Sequence, residues 1–147
     1  MKAVRSRFVP MTVAPAVAIA LLASLAPAAS ARTAMPPIHT SGQVAFVSGG
    51  VGADESAAMQ RAAGRYELEL VFAVRDLAGR GDYLAGVPVD IRDRAGNTVL
   101  RTTARGPYLL ADLPDGSYTV TATDNGAAKR QVVQLSHGAH QRLVFEW

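Results

Sequence analysis

Cysteine is absent from all 147 residues. No disulfide framework, thiolate metal centre or cysteine nucleophile can be built from this chain. Aromatic side chains are scarce: one Trp, four Tyr and four Phe. Phe8 lies near the start, and most of the rest fall at alternating positions that read as core. Basic charge is also scarcer than it looks. There are 15 Lys+Arg against 12 Asp+Glu, but Lys2, Arg5 and Arg7 sit in the first 31 residues. Beyond them the balance is 12 against 12 with His neutral. A nucleic-acid surface needs a concentrated basic patch, and none is visible. Zinc-protease, P-loop and nucleophile-elbow patterns are missing as well.

The one long apolar run is at the start. Lys2, Arg5 and Arg7 precede residues 9–29, which are rich in Ala, Val, Leu and Ile. Ala29-Ser30-Ala31 completes a signal-peptide pattern, with cleavage expected before Arg32. An uncleaved membrane anchor fits less well, because Pro15 and Pro27 interrupt the run. Ser6 between the arginines rules out a twin-arginine signal. The expected organisation is a signal peptide over 1–31, a disordered Pro/Ala linker over 32–40 and a single domain over 41–147. A cysteine-free exported domain fits a bacterial periplasm, so the expected location is periplasmic or secreted.

The domain reads as strands. Residues 66–75 carry Tyr66, Leu68, Leu70, Phe72 and Val74 on one face and Glu67, Glu69 and Arg75 on the other. Val87, Val89 and Ile91 alternate with Pro88, Asp90 and Arg92, and Ala95-Gly96-Asn97 then turns the chain. Over residues 98–104 Val99 and Leu100 compete for the core. Residues 106–122 read as a hairpin: an apolar run, a turn at Pro114-Asp115-Gly116 and an alternating strand. Tyr118, Val120 and Ala122 form its dry face, and Thr119, Thr121 and Thr123 its wet face. Asn125-Gly126 signals another hairpin. The last strand, 141–147, aligns Leu143, Phe145 and Trp147. An outer-membrane barrel strand ends similarly, but a core-facing sandwich strand fits these short, charged strands better. Residues 41–47 read as the first strand, and Asp54 as the N-cap of a short Ala-rich helix over 56–63 that stops at Gly64. Tyr83 and Leu84, in a loop over 76–86, are expected to tuck inward. The fold class expected is an all-β antiparallel sandwich of about seven strands, with one short helix between the first two.

Candidate chemistry is thin. His39, His137 and His140 are the histidines, and His137-Gly-Ala-His140 places two imidazoles on one loop. A copper or zinc site there lacks a third assured ligand, so a solvated turn is expected. Gly49-Gly50-Val51-Gly52 before a helix resembles a phosphate loop without its Lys, and Asp54 and Glu55 occupy the end an anion would need. Ser48 reads as an ordinary loop serine. Asp82, Tyr83, Tyr108 and the threonines at 119, 121 and 123 are the candidate sugar-binding set. No catalytic, cofactor-binding or metal residue is assigned, and no enzyme activity is expected.

From Tyr83 onward the chain resembles the carboxypeptidase regulatory-like domains, which are transthyretin-like β-sandwiches. The residues carrying this are Ala85-Gly86-Val87-Pro88-Val89-Asp90-Ile91, Ala95-Gly96-Asn97 and Leu113-Pro114-Asp115-Gly116-Ser117-Tyr118-Thr119-Val120. The match spans roughly half of the domain. It implies a tyrosine corner at Tyr118 and a non-catalytic accessory role. The hydroxyisourate-hydrolysing branch of that fold ends in Tyr-Arg-Gly-Ser, whereas this chain ends in Val144-Phe145-Glu146-Trp147. The segment over 48–65 is longer than the family's usual connection. The expected function is therefore a secreted or periplasmic module for protein–protein contact or structural support, with a carbohydrate- or peptidoglycan-binding module as the alternative.

Overall fold

The computed structural model describes residues 35–147, so the expected signal peptide and the start of the linker lie outside the described residues. In chain order the elements are β1 (His39–Ser41), β2 (Val44–Gly49), α1 (Ala53–Ala63), β3 (Leu68–Arg75), β4 (Gly81–Tyr83) and β5 (Val87–Asp93). There follow β6 (Thr98–Ala104), β7 (Tyr108–Asp112), β8 (Gly116–Asp124), β9 (Ala127–Leu135) and β10 (Gln141–Glu146). One sheet runs β1-β2-β7-β3-β10, with β4 added beside β3. The second runs β6-β5-β8-β9. The result is an all-β sandwich with one helix.

Ten strands stand where about seven were expected, because short strands pair where the sequence read as loop. His39 and Thr40, read as linker, pair with Phe46 and Ala45 as β1. The helix therefore follows the second strand. Asp82 and Tyr83, also read as loop, pair with Val74 and Ala73 as β4. All pairings are antiparallel except β3 with β10, which run parallel.

The period-two patterns place the core. Leu68, Leu70 and Phe72 of β3 meet Val87, Val89 and Ile91 of β5 and Tyr118, Val120 and Ala122 of β8 between the sheets. Leu100 is buried in this core from β6, and Val99 packs half-buried against it. Phe145 stacks between Phe72 and Trp147, with ring centroids 6.0 and 6.2 Å away, which makes β10 a sandwich strand. A second, smaller core lies outside the first sheet. Met59, Ala62 and Ala63 of α1 cover Val47, Val71, Tyr108 and Leu110 there. The outer face of β3, expected to be wet at Glu69, is dry because α1 and the loops around it lie over this sheet.

The stretch over 106–122 is a crossing between sheets, not a hairpin. Strand β7 pairs with β2 and β3, whereas β8 pairs with β5 and β9. Alternation reports which face is dry but not which strand lies alongside. The turn itself forms as a tyrosine corner, with the Tyr118 hydroxyl donating to the Pro114 carbonyl at 2.8 Å. Gly116 has a φ of 155° and already belongs to β8. The Asn125-Gly126 hairpin has both residues at positive φ, 44° and 82°, as its type I′ geometry requires. Among the described residues no helix is long and apolar enough to cross a membrane.

Tyr118 is 6% exposed, so Tyr118→Ala removes a buried ring together with the bond that fixes the crossing. Urea unfolding should report a loss of about 3–5 kcal/mol. Thr119→Ala, on the opposite face of the strand, should leave the midpoint nearly unchanged. Equal midpoints for the two variants would reverse the faces assigned to β8.

Candidate contact surfaces

The two sheets present different outsides. The first is covered in part by α1, while among the described residues no layer lies over the second. Its register builds rows of side chains across all four strands. One row is Arg101, Asp90, Thr121 and Arg130, and the next is Thr103, Pro88, Thr123 and Ala128. Arg92, Thr119 and Val132 form a third row across β5, β8 and β9. Asp90 receives Arg92 Nε at 2.8 Å on one oxygen and Arg101 Nη2 at 2.6 Å on the other. Partial burial pushes the Asp90 carboxyl pKa up, but the bonds from the two arginines outweigh it and hold it below its ordinary value. The carboxylate thus stays ionised and splays two guanidinium groups across the face.

A second surface is a groove of about 450 Å³ between the Gly50–Ala53 segment and Tyr83–Ala85. Val51 and Tyr83, 63% and 60% exposed, stand on its two sides. The expectation that Tyr83 tucks inward is corrected: only Leu84 packs against the core. Pairing with Ala73 puts Tyr83 on the outer face of its sheet, beside the Tyr108 ring at a centroid distance of 5.7 Å. The Tyr108 phenol beside it is the main reason the Tyr83 phenol pKa is raised, with burial adding to the effect. Gln60 of α1 in turn donates to the Tyr108 hydroxyl at 2.8 Å. Gly50 sits at a φ of 103° with its α-carbon so close to the Tyr108 ring that a Cβ would overlap it.

The Gly-rich loop is closed by its own helix. Gly52, not Asp54, occupies the N-cap, and no side chain caps the helix. The positive φ of Gly52, 88°, lets the chain enter α1 directly, which moves Asp54 into the first turn. Glu55 reaches back to accept from the Gly50 N–H at 2.7 Å. A carboxylate thus stands where a phosphate would have to bind. Ser48 is buried in β2, and its hydroxyl accepts from the Arg105 N–H at 2.7 Å.

The histidines do not gather. His39 lies in β1 against Phe46, and His137 is exposed in the loop between β9 and β10. His140 is held by Nδ1 at 2.9 Å from the Tyr66 carbonyl and by Nε2 at 3.0 Å from Glu69 Oε2. A carbonyl oxygen can only accept, so Nδ1 donates to it and Nε2 faces the carboxylate. Glu69 is only 5% exposed, and Arg142 Nε lies 3.6 Å from its other oxygen. This network was not legible in the sequence, since 71 residues separate Glu69 from His140. Among the described residues no three His, Cys, Asp or Glu side chains are placed to hold a metal ion. The sugar-binding set is not assembled either: Tyr108 is buried, Tyr83 lies on the first sheet and the threonines lie on the second.

In a comparison with known proteins, no family model and no curated protein matches the chain.

One carboxyl pair carries a pH dependence. Partial desolvation, then the Glu67 carboxyl beside it, push Asp112 up to about 6. The folded state therefore takes up this proton at a higher pH than the unfolded chain does. Stability contributed by Asp112 is greatest when it is protonated and is lost as pH rises through about 6. Asp112→Asn should raise the urea midpoint at pH 8, and the gain should shrink steadily towards pH 4. A gain independent of pH would refute the carboxyl pairing.

Proposed function

We propose that the chain is an exported, non-catalytic β-sandwich module, periplasmic or secreted, that works by contact with a protein of the cell envelope. The observation carrying this reading is the Tyr83 platform. An exposed aromatic ring, braced from beneath by Tyr108 and Gln60, loses little freedom when a partner covers it. Rigid aromatic anchors beside a groove are where protein interfaces concentrate their binding energy. The titratable groups support the same reading, because Glu69, His140 and Arg142 face one another and brace the fold. The tyrosine corner after Leu113-Pro114-Asp115-Gly116 supports kinship with the carboxypeptidase regulatory-like domains, whose members are mostly accessory modules. The platform stands beside the loop and helix over 48–65, the segment in which the chain departs from that family's pattern.

A second reading, a carbohydrate-binding module, is favoured by the outer face of the second sheet. That face is polar, and hydroxyl and guanidinium groups are arrayed on it.

The test is affinity capture from the native envelope with the wild-type protein and with Tyr83→Ala. Proteins held by the wild type should be released by the variant, with binding at least about tenfold weaker, as expected for a tyrosine anchor. The urea midpoint should stay close to that of wild type, since Tyr83 is mostly exposed. Identical capture by both would remove the platform from the reading. Turnover of a hydrolase or transferase substrate, abolished by a single substitution, would overturn the non-catalytic assignment.

A further inference from the structure

The second sheet's outer face differs in charge from the rest of the molecule. Four of the 15 Lys+Arg precede residue 35, which leaves 11 against 12 Asp+Glu over 35–147. The described body is therefore slightly acidic. On this one face, however, Arg92, Arg101 and Arg130 stand with only Asp90 among them, and Arg94 stands at its margin beside Asp93. Asp93 is engaged with its own turn, accepting from the Asn97 N–H at 2.9 Å. A cationic surface on an acidic body is a segregation of charge, and it favours an anionic partner.

The chemistry narrows the partner further. The face carries no aromatic side chain, and Val132 is its one exposed large apolar residue among those described. Protein interfaces are built round apolar and aromatic anchors, which this face lacks. Single-stranded nucleic acid asks for aromatic stacking platforms, also missing here. What the face offers is guanidinium forks and a ladder of hydroxyls at Thr119, Thr121 and Thr123. Guanidinium forks match carboxylates in bidentate geometry, and hydroxyls both donate to and accept from sugar hydroxyls. The row from Arg101 to Arg130 spans three strand spacings, ~14 Å, so its two ends suit successive acidic groups along an extended chain.

We infer that the outer face of the β6-β5-β8-β9 sheet is a binding surface for a carboxylate-bearing polysaccharide. This rests on the carbohydrate-binding reading and names its ligand class. Asp90 positions two of the cations, Arg92 and Arg101, and Arg130 supplies the far contact.

The experiment is affinity electrophoresis of the purified protein in gels containing polygalacturonate, with neutral dextran and single-stranded DNA as parallel gels. Retardation should occur with polygalacturonate, weaken as salt is raised, and be absent with dextran. Arg101→Ala/Arg130→Ala should bind at least about tenfold more weakly, the loss expected for two charge-assisted contacts. Arg75→Ala serves as the charge control, because Arg75 lies on the first sheet, paired with Glu146 at 3.0 Å. It should be retarded like wild type. No retardation by polygalacturonate overturns the inference, as does equal loss in Arg75→Ala or equal retardation by DNA. If polygalacturonate fails while Tyr83-dependent protein capture persists, this inference falls and the contact module stands. If retardation occurs with dextran alone, the carbohydrate reading survives and the acidic ligand does not.

Discussion

Strand β7 is the constraint on which the rest of the structure depends. It is paired on both edges, with β2 and β3, and Tyr108, Leu109, Leu110 and Ala111 are all buried. Five residues with two dry faces require a layer on each side. Leu109 and Ala111 face the second sheet, and Tyr108 and Leu110 face α1. Each large side chain buried this way contributes about 1.5–3 kcal/mol. Without the segment over 48–65, Tyr108 and Leu110 would face water. The helix is thus the third layer that a doubly apolar central strand demands.

The chain changes sheets four times, after β4, β6, β7 and β9. Three of these passages are secured by side chains, the β6–β7 one by the Ser48 hydroxyl, which accepts from the Arg105 N–H. Tyr118 bonds back to Pro114 at the β7–β8 passage, and His140 joins the β9–β10 loop to Tyr66 and Glu69. The flank where β9 meets β10 is also laced. Gln131 donates to the Val144 carbonyl at 2.7 Å, and the Trp147 indole donates to the Ala127 carbonyl at 2.8 Å. These bonds consume backbone acceptors that an edge strand would otherwise leave open.

Where a residue's environment is set by its own strand, the sequence was readable. The wet and dry faces of β5 and β8, the inner face of β3, the Asn125-Gly126 turn and the Tyr118 corner all follow from period two and local turn chemistry. What failed was information held by distant partners. Glu69 looked solvated because nothing near it in sequence announces His140 or Arg142 above it. Tyr83 looked inward-facing because its pairing with Ala73 is invisible in a glycine-punctuated loop. The outer face of the second sheet was half legible. Its threonine ladder stood out, but Arg101 and Arg130 belong to strands whose order across the sheet no local pattern fixes.

The parallel pairing of β10 with β3 sets the order in which the molecule can be completed. Residues 141–146 lie alongside residues 68–73, and Phe145 fills the space beside Phe72. A chain emerging from a ribosome with its N-terminus first holds β3 long before β10 exists. Until residues 141–146 arrive, the core is open at Phe72 and β3 has one unpaired flank. Contacts across so many intervening residues form late and slow the search for the native state. The unfinished chain is therefore the form most exposed to proteases and to mispairing. Loss of the last few residues would do disproportionate harm, although they make up so little of the length.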